Sequence, residues 1–142
     1  VQLQLTDADT TVIVDPSQIE QIVMNLTLNA RDAMRSKGSG QLTLQTRRQT
    51  YTEEQLRNLS ESEDLTPGEY VCFLVEDTGE GIPPEFRDHI FEPFFSTKGL
   101  GNTGLGLATV YGIVRQNRGF ITVESEVGKG TTFCVCLPAW QA

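Results

Sequence analysis

Residues 77–104 constrain the fold more than any other part of the chain, because they are rich in glycine and proline and separate an apolar run at 70–76 from a helical pattern beginning at Leu105. The apolar run suits a central strand. A loop this long inside a compact domain usually carries function, and only residues 85–90 offer a short helix within it.

Upstream, residues 1–5 alternate apolar and polar, residues 11–14 are β-branched or apolar, and Asp7-Ala8-Asp9 reads as a turn, so the spacing predicts a hairpin. Asp15 offers an N-cap, Pro16 suits the first helical position and Gln18 completes a capping box, which predicts a helix over 16–34 ended by Lys37-Gly38-Ser39-Gly40. Leu42, Leu44 and Thr46 alternate as a third strand. The acidic residues 50–69 read as a surface excursion with a short helix at 53–58 and no assigned role. Beyond the loop, Val110, Ile113 and Val114 form the stripe of a helix over 105–116, and strands at 119–125 and 131–137 flank a Gly128-Lys129-Gly130 turn. This order predicts a two-layer α/β sandwich, a mixed β-sheet with helices packed on one face. At 142 residues the chain is expected to form a single domain, 1–142.

The formal net charge of -8 supplies no broad positive field for nucleic acid or an anionic membrane. It does not argue against a small phosphate ligand, which backbone amides and one or two cations can hold locally. Cys72, Cys134 and Cys136 form no even framework and suit a reducing, cytoplasmic compartment, although a longer parent protein could still be membrane-anchored. Cys134 and Cys136 share one face of a strand, but lacking a second ligand pair they read as filler. No apolar run approaches the ~20 residues that span a bilayer.

Three groups of residues carry chemistry. On the first helix Ile19, Ile22, Val23, Leu26, Ala30 and Ala33 share a face, and Asn25, Asn29 and Asp32 form a polar stripe at its edge. Amide and carboxylate oxygens there suit a hard cation such as Mg²⁺ that also binds phosphates, although such amides are more often merely solvated. Next, Asp77-Thr78-Gly79-Glu80-Gly81-Ile82 sets a carboxylate at a strand end beside two glycines, where a flat ligand could approach; the plain alternative is a tight turn capped by Asp77. Third, Phe91-Glu92-Pro93-Phe94-Phe95-Ser96-Thr97-Lys98 precedes a run of glycines that opens a helix, where free amides and the helix dipole favour phosphate. The phenylalanines would anchor the loop, and Lys98 supplies a mobile cation. Gly99 to Gly104 also satisfies G-x-G-x-x-G with Glu124 downstream, but it follows a loop rather than a strand, which argues against a dinucleotide fold.

In this order the motifs resemble the GHKL superfamily (gyrase, Hsp90, histidine kinases, MutL), and its sensor histidine kinase branch in particular. Asn25-Leu26-Thr27-Leu28-Asn29-Ala30 is similar to its N box, Asp77-Thr78-Gly79-Glu80-Gly81 to the G1 box, Phe91 to Lys98 to the F box and Gly101 to Leu107 to the G2 box. Gly128-Lys129-Gly130-Thr131-Thr132-Phe133 is similar to its final strand signature, so the likeness covers nearly the whole chain. The resemblance implies ATP and Mg²⁺ as cofactors, with Asn29 on the metal, Asn25 and Asp32 on the phosphate side, and Asp77 reading the adenine amino group with Thr131. Gly79, Gly81 and Ile82 would line the base. A lid over 83–104 would close on the nucleotide, bringing Lys98, Gly101, Thr103, Gly104, Leu105 and Gly106 to the phosphates.

Hydrolysing relatives carry Glu where this chain has Asn25, and an amide cannot act as a base, so the resemblance points to transfer rather than hydrolysis. The acceptor would be a histidine on a separate dimerisation domain, with a response regulator receiver domain downstream, and the isolated domain is expected to be monomeric. The sole histidine here, His89, reads as a variant surface residue. A GHKL-type ATPase and a non-catalytic nucleotide-sensing module are the competing readings.

Overall fold

The structure, a computed structural model, describes residues 2–4, 11–35, 37–59, 65–92 and 106–140. Strands β1 (Gln2–Gln4), β2 (Leu42–Tyr51), β3 (Gly68–Asp77), β4 (Phe120–Glu126) and β5 (Gly130–Pro138) form one sheet in the order β1-β2-β3-β5-β4. Every pairing is antiparallel except β1 with β2, which is parallel and makes the sheet mixed, as expected. Helices α1 (Pro16–Arg35) and α3 (Gly106–Gln116) pack against each other and the same sheet face, while α2 (Glu53–Leu59) follows β2.

The expected hairpin does not form. Gln2–Gln4 pairs in parallel with Thr43, Leu44 and Gln45, and residues 11–14 carry no strand. Instead the Thr11 carbonyl accepts a hydrogen bond from Trp140 N–H at 2.8 Å and Val12 packs on the main core, so tertiary contacts override the local alternation. The turn expected at Asp7-Ala8-Asp9 lies outside the described residues.

Helix α1 begins where the cap predicts: Asp15 Oδ1 accepts from Ser17 N–H at 2.9 Å and from its hydroxyl at 2.8 Å. The capping box is not completed, because the Gln18 amide instead bonds Gln116 and Asn117 at the end of α3, joining the two helices. Ile22, Leu26 and Ala30 of α1 meet Val110 and Val114 of α3 over Val75, Phe133, Val135 and Leu137. Each of the larger side chains contributes about 1.5–3 kcal/mol by leaving water.

The opposite sheet face has its own core. Tyr51, Tyr70 and Phe120 meet edge to face with ring centroids 5.2–5.7 Å apart, above Cys72, Cys134 and Cys136. Leu56 of α2 is buried among them, so residues 50–69 are more than a surface excursion. Helix α2 is started by a reciprocal cap: Thr52 N–H donates to Gln55 Oε1 at 2.8 Å, and Gln55 N–H to Thr52 Oγ1 at 3.2 Å.

Candidate functional site

Among the described residues, two polar side chains are buried: Asp77 at 3% exposure and Thr131 at 4%. They are cross-strand partners where β3 ends and β5 begins, on the face that α1 and α3 cover. A buried carboxylate without hydrogen bonds would be strongly destabilising. Here Asp77 Oδ1 accepts from Gly79 N–H at 2.8 Å, which also folds the chain sharply as it leaves β3.

Beside this pair lies a network centred on Ser125, which the sequence reading did not single out because nothing in a strand's alternation marks a serine as a hub. Ser125 Oγ accepts from Ile82 N–H at 2.7 Å, lies 2.8 Å from Thr131 Oγ1 and donates to Gly130 O at 3.1 Å. Arg87 Nη2 donates to the Ser125 carbonyl. The start of the long loop is therefore fixed to the β4–β5 hairpin, and Ile82 packs against the main core.

The two G1 glycines have packing roles. A Cβ at Gly79 would lie 2.5 Å from the Ala33 carbonyl oxygen of α1, and Glu80 N–H donates to that oxygen at 3.0 Å. Gly81 has φ +77°, and a Cβ there would lie 2.4 Å from the Glu126 carbonyl oxygen. The loop can touch both α1 and the β4–β5 turn only because these positions lack side chains. Lys37, read from sequence as part of a helix stop, ties the same region: its Nζ donates to Thr78 O at 3.1 Å and Gly128 O at 3.0 Å.

Asn25, Asn29 and Asp32 line α1 as half-buried residues. Asn25 Nδ2 donates to the carbonyl of Gly106, the first residue of α3, at 3.2 Å, and its Oδ1 accepts from Gln21 at 3.2 Å. Asp32 pairs with Arg31 at 3.4 Å and Arg35 at 3.7 Å. Asn29 lies one turn from Asn25 and one turn from Ala33. At a rise of about 1.5 Å per residue, α1 thus carries a polar edge some ~12 Å long from the amino end of α3 to the Asp77 loop.

The first part of the segment expected to act as a lid is anchored. A 3-10 helix, Pro84–His89, leads to buried Ile90, and Phe91 stacks on Tyr111 at 5.3 Å and meets Phe133 edge-on at 6.4 Å. His89 is exposed and its Nδ1 lies 3.0 Å from Glu92 Oε1, the hydrogen bond and charge that raise its pKa. Phe94, Phe95, Lys98, Gly101, Thr103, Gly104 and Leu105 lie outside the described residues.

A family profile described as histidine kinase-, DNA gyrase B-, and HSP90-like ATPase matches residues 14–141. Sensor kinase CckA of Brucella abortus (strain 2308) is 51% identical over 125 residues, which are 87% of this chain and 13% of that protein. Sensor histidine kinase ZraS of Escherichia coli (strain K12) is 39% identical over 140 residues, 97% of this chain and 26% of ZraS. The chain therefore spans about an eighth to a quarter of these curated relatives. Among solved structures, full-length ShkA in complex with AMPPNP superposes with a TM-score of 0.72 at 28% identity, over 99% of this chain and 26% of that one. The nucleotide-free catalytic domain of histidine kinase ThkA gives 0.70 at 26% identity, over 96% and 76% of the two chains. The agreement of fold, motif order and near full-length match means that this chain belongs to the histidine kinase-, DNA gyrase B- and HSP90-like ATPase family.

Proposed function

We propose that this chain is the ATP- and Mg²⁺-binding catalytic domain of a sensor histidine kinase, handing the γ-phosphate to a histidine on a dimerisation domain elsewhere in a longer protein. The observation that carries this reading is the polar edge of α1, which joins the amino end of α3 to the buried Asp77–Thr131 pair. An elongated ligand with a base at one end and anionic groups at the other matches that layout. The AMPPNP bound to ShkA supports it.

In this reading Asp77 accepts from the adenine amino group, Thr131 assists, and Gly79, Gly81 and Ile82 floor the base. Lys98, Gly101, Thr103, Gly104, Leu105 and Gly106 face the triphosphate, where α3 contributes its amino-terminal amides. Asn25 and Asp32 shape the phosphate side. Asn29 fits Mg²⁺ as a neutral oxygen donor, since this ion keeps several waters and shares itself with phosphates. Bound there, the ion would neutralise phosphate charge during transfer.

Asn25 favours transfer over hydrolysis. Both ends of its amide are held, by Gly106 and Gln21, and an amide offers no base for water. A response regulator receiver domain would take the phosphoryl group from the histidine, and the isolated domain would be monomeric.

Calorimetry with ATP and Mg²⁺ tests the binding, and labelled ATP with the matching histidine domain tests the transfer. Asp77→Asn should weaken ATP about 10- to 100-fold, as expected for losing a charged hydrogen-bond acceptor. Unchanged affinity would remove Asp77 from the site. Steady phosphate release by the domain alone would favour an ATPase, and binding without transfer a nucleotide-sensing module.

A further inference from the structure

The three cysteines that look unrelated in the sequence converge in the second core. Cys72 on β3 and Cys136 on β5 are direct cross-strand partners, and Cys134 lies two residues along β5 on the same face. Cys72 and Cys136 sulfurs are 2.9 Å apart, Cys134 and Cys136 sulfurs 3.5 Å, and all three lie within 4.8 Å of one another. In the sequence the Cys134–Cys136 pair has no evident further ligand. The sheet register supplies it, because antiparallel pairing places residue 72 opposite residue 136.

We propose that Cys72, Cys134 and Cys136 form a three-coordinate thiolate site for a soft monovalent cation, copper(I). Metal–sulfur bonds of about 2.3 Å in a trigonal plane set sulfurs about 4 Å apart, so small side-chain rotations would open this cluster to fit. Thiolate donors select soft ions. Among the described residues no histidine, aspartate or glutamate joins the three, so the fourth cysteine, histidine or carboxylate of a usual zinc shell is missing. Cys72 and Cys136 are fully buried and Cys134 is 6% exposed, beneath the rings of Tyr51, Tyr70 and Phe120. That apolar roof keeps water from serving as a fourth ligand.

The surroundings also provide positive charge. Arg47 on β2 is the cross-strand partner of Cys72. Binding would release the thiol protons to solvent. The cluster lies on the sheet face opposite α1 and α3, so it does not depend on the nucleotide reading.

The test is anaerobic titration of the reduced 142-residue chain with the coloured bicinchoninate complex of copper(I). We expect one copper(I) to be withdrawn per chain, with a sulfur-to-copper ultraviolet band, and at least a tenfold loss of that competition in the Cys72→Ser, Cys134→Ser double variant. Circular dichroism and cooperative melting establish that the variant is folded. Should it not fold, X-ray absorption of the wild-type copper(I) complex decides: three sulfur neighbours must surround the metal. The proposal is overturned by failure to withdraw copper, by equal withdrawal in a folded variant, or by fewer than three sulfur neighbours. Tetrahedral cobalt(II) bands at one equivalent, or a Cys72–Cys136 disulfide formed in place of a copper complex, would overturn it too.

Discussion

Gly81 shows how one residue can serve two readings of the same loop. Its φ of +77° and the Glu126 carbonyl 2.4 Å from a would-be Cβ make it necessary to the apo fold, whatever a base later requires. Gly81→Ala should therefore lower stability by about 1–3 kcal/mol or more without any nucleotide present, from backbone strain and steric overlap. Urea unfolding of the ligand-free protein checks this, and wild-type stability with impaired ATP binding would mean the glycine serves the ligand alone. The sequence marks Asp77, Gly79 and Gly81 because a carboxylate and two glycines at a strand end are unusual together. It does not mark Ser125 or Lys37, whose partners become neighbours only when β4, β5 and the end of α1 meet.

Among the elements, α1 and α3 were legible almost to the residue, because cap chemistry and a 3.6-residue stripe are local signals. The strand β1 is legible but its pairing is not, for the opposite reason: its parallel partner lies some 40 residues away, and no local pattern announces such a pairing. The start of α2 was local too, but its Thr52/Gln55 cap sits in an acidic stretch that otherwise resembles a solvated excursion. Thr52→Ala should cost about 0.5–2 kcal/mol, and the loss should concentrate in the second core that holds Leu56. Hydrogen exchange should show faster exchange over α2 with α1 and α3 little changed; uniform acceleration would mean that the two cores unfold together.

For the whole molecule, three titratable groups among the described residues tie stability to pH. Glu69 is held below its ordinary pKa by hydrogen bonds and charge from Arg48, and Asp15 by hydrogen bonds from Ser17. Both contribute fully above their unfolded values and lose that contribution as pH falls through the lowered folded ones. His89 is raised by its hydrogen bond and charge pairing with Glu92, so its contribution is complete below its unfolded value and fades as pH rises through the folded one. Stability should be greatest between about pH 4.5 and 6.5 as far as these groups decide it. Glu92→Gln should flatten the alkaline limb and spare the acid one, as measured by denaturant midpoints across pH. The fold class was legible at this scale because element order and the motif series agree. The second core was not, since the sequence separates Tyr51, Leu56, Cys72 and Phe120 and only the sheet's reverse side brings them together. No helix among the described residues is long and apolar enough to cross a membrane.

Lys37 gives the closing consequence. One ammonium group clasps two segments beside the Asp77–Thr131 pair as its rims, the Thr78 carbonyl and the Gly128 carbonyl, whose residues lie 41 and 91 positions along the chain from it. Acylating that amine would remove its charge and two of its donors, and both rims would loosen together. A small chemical mark on the surface could thereby slacken the grip on a ligand that it never touches.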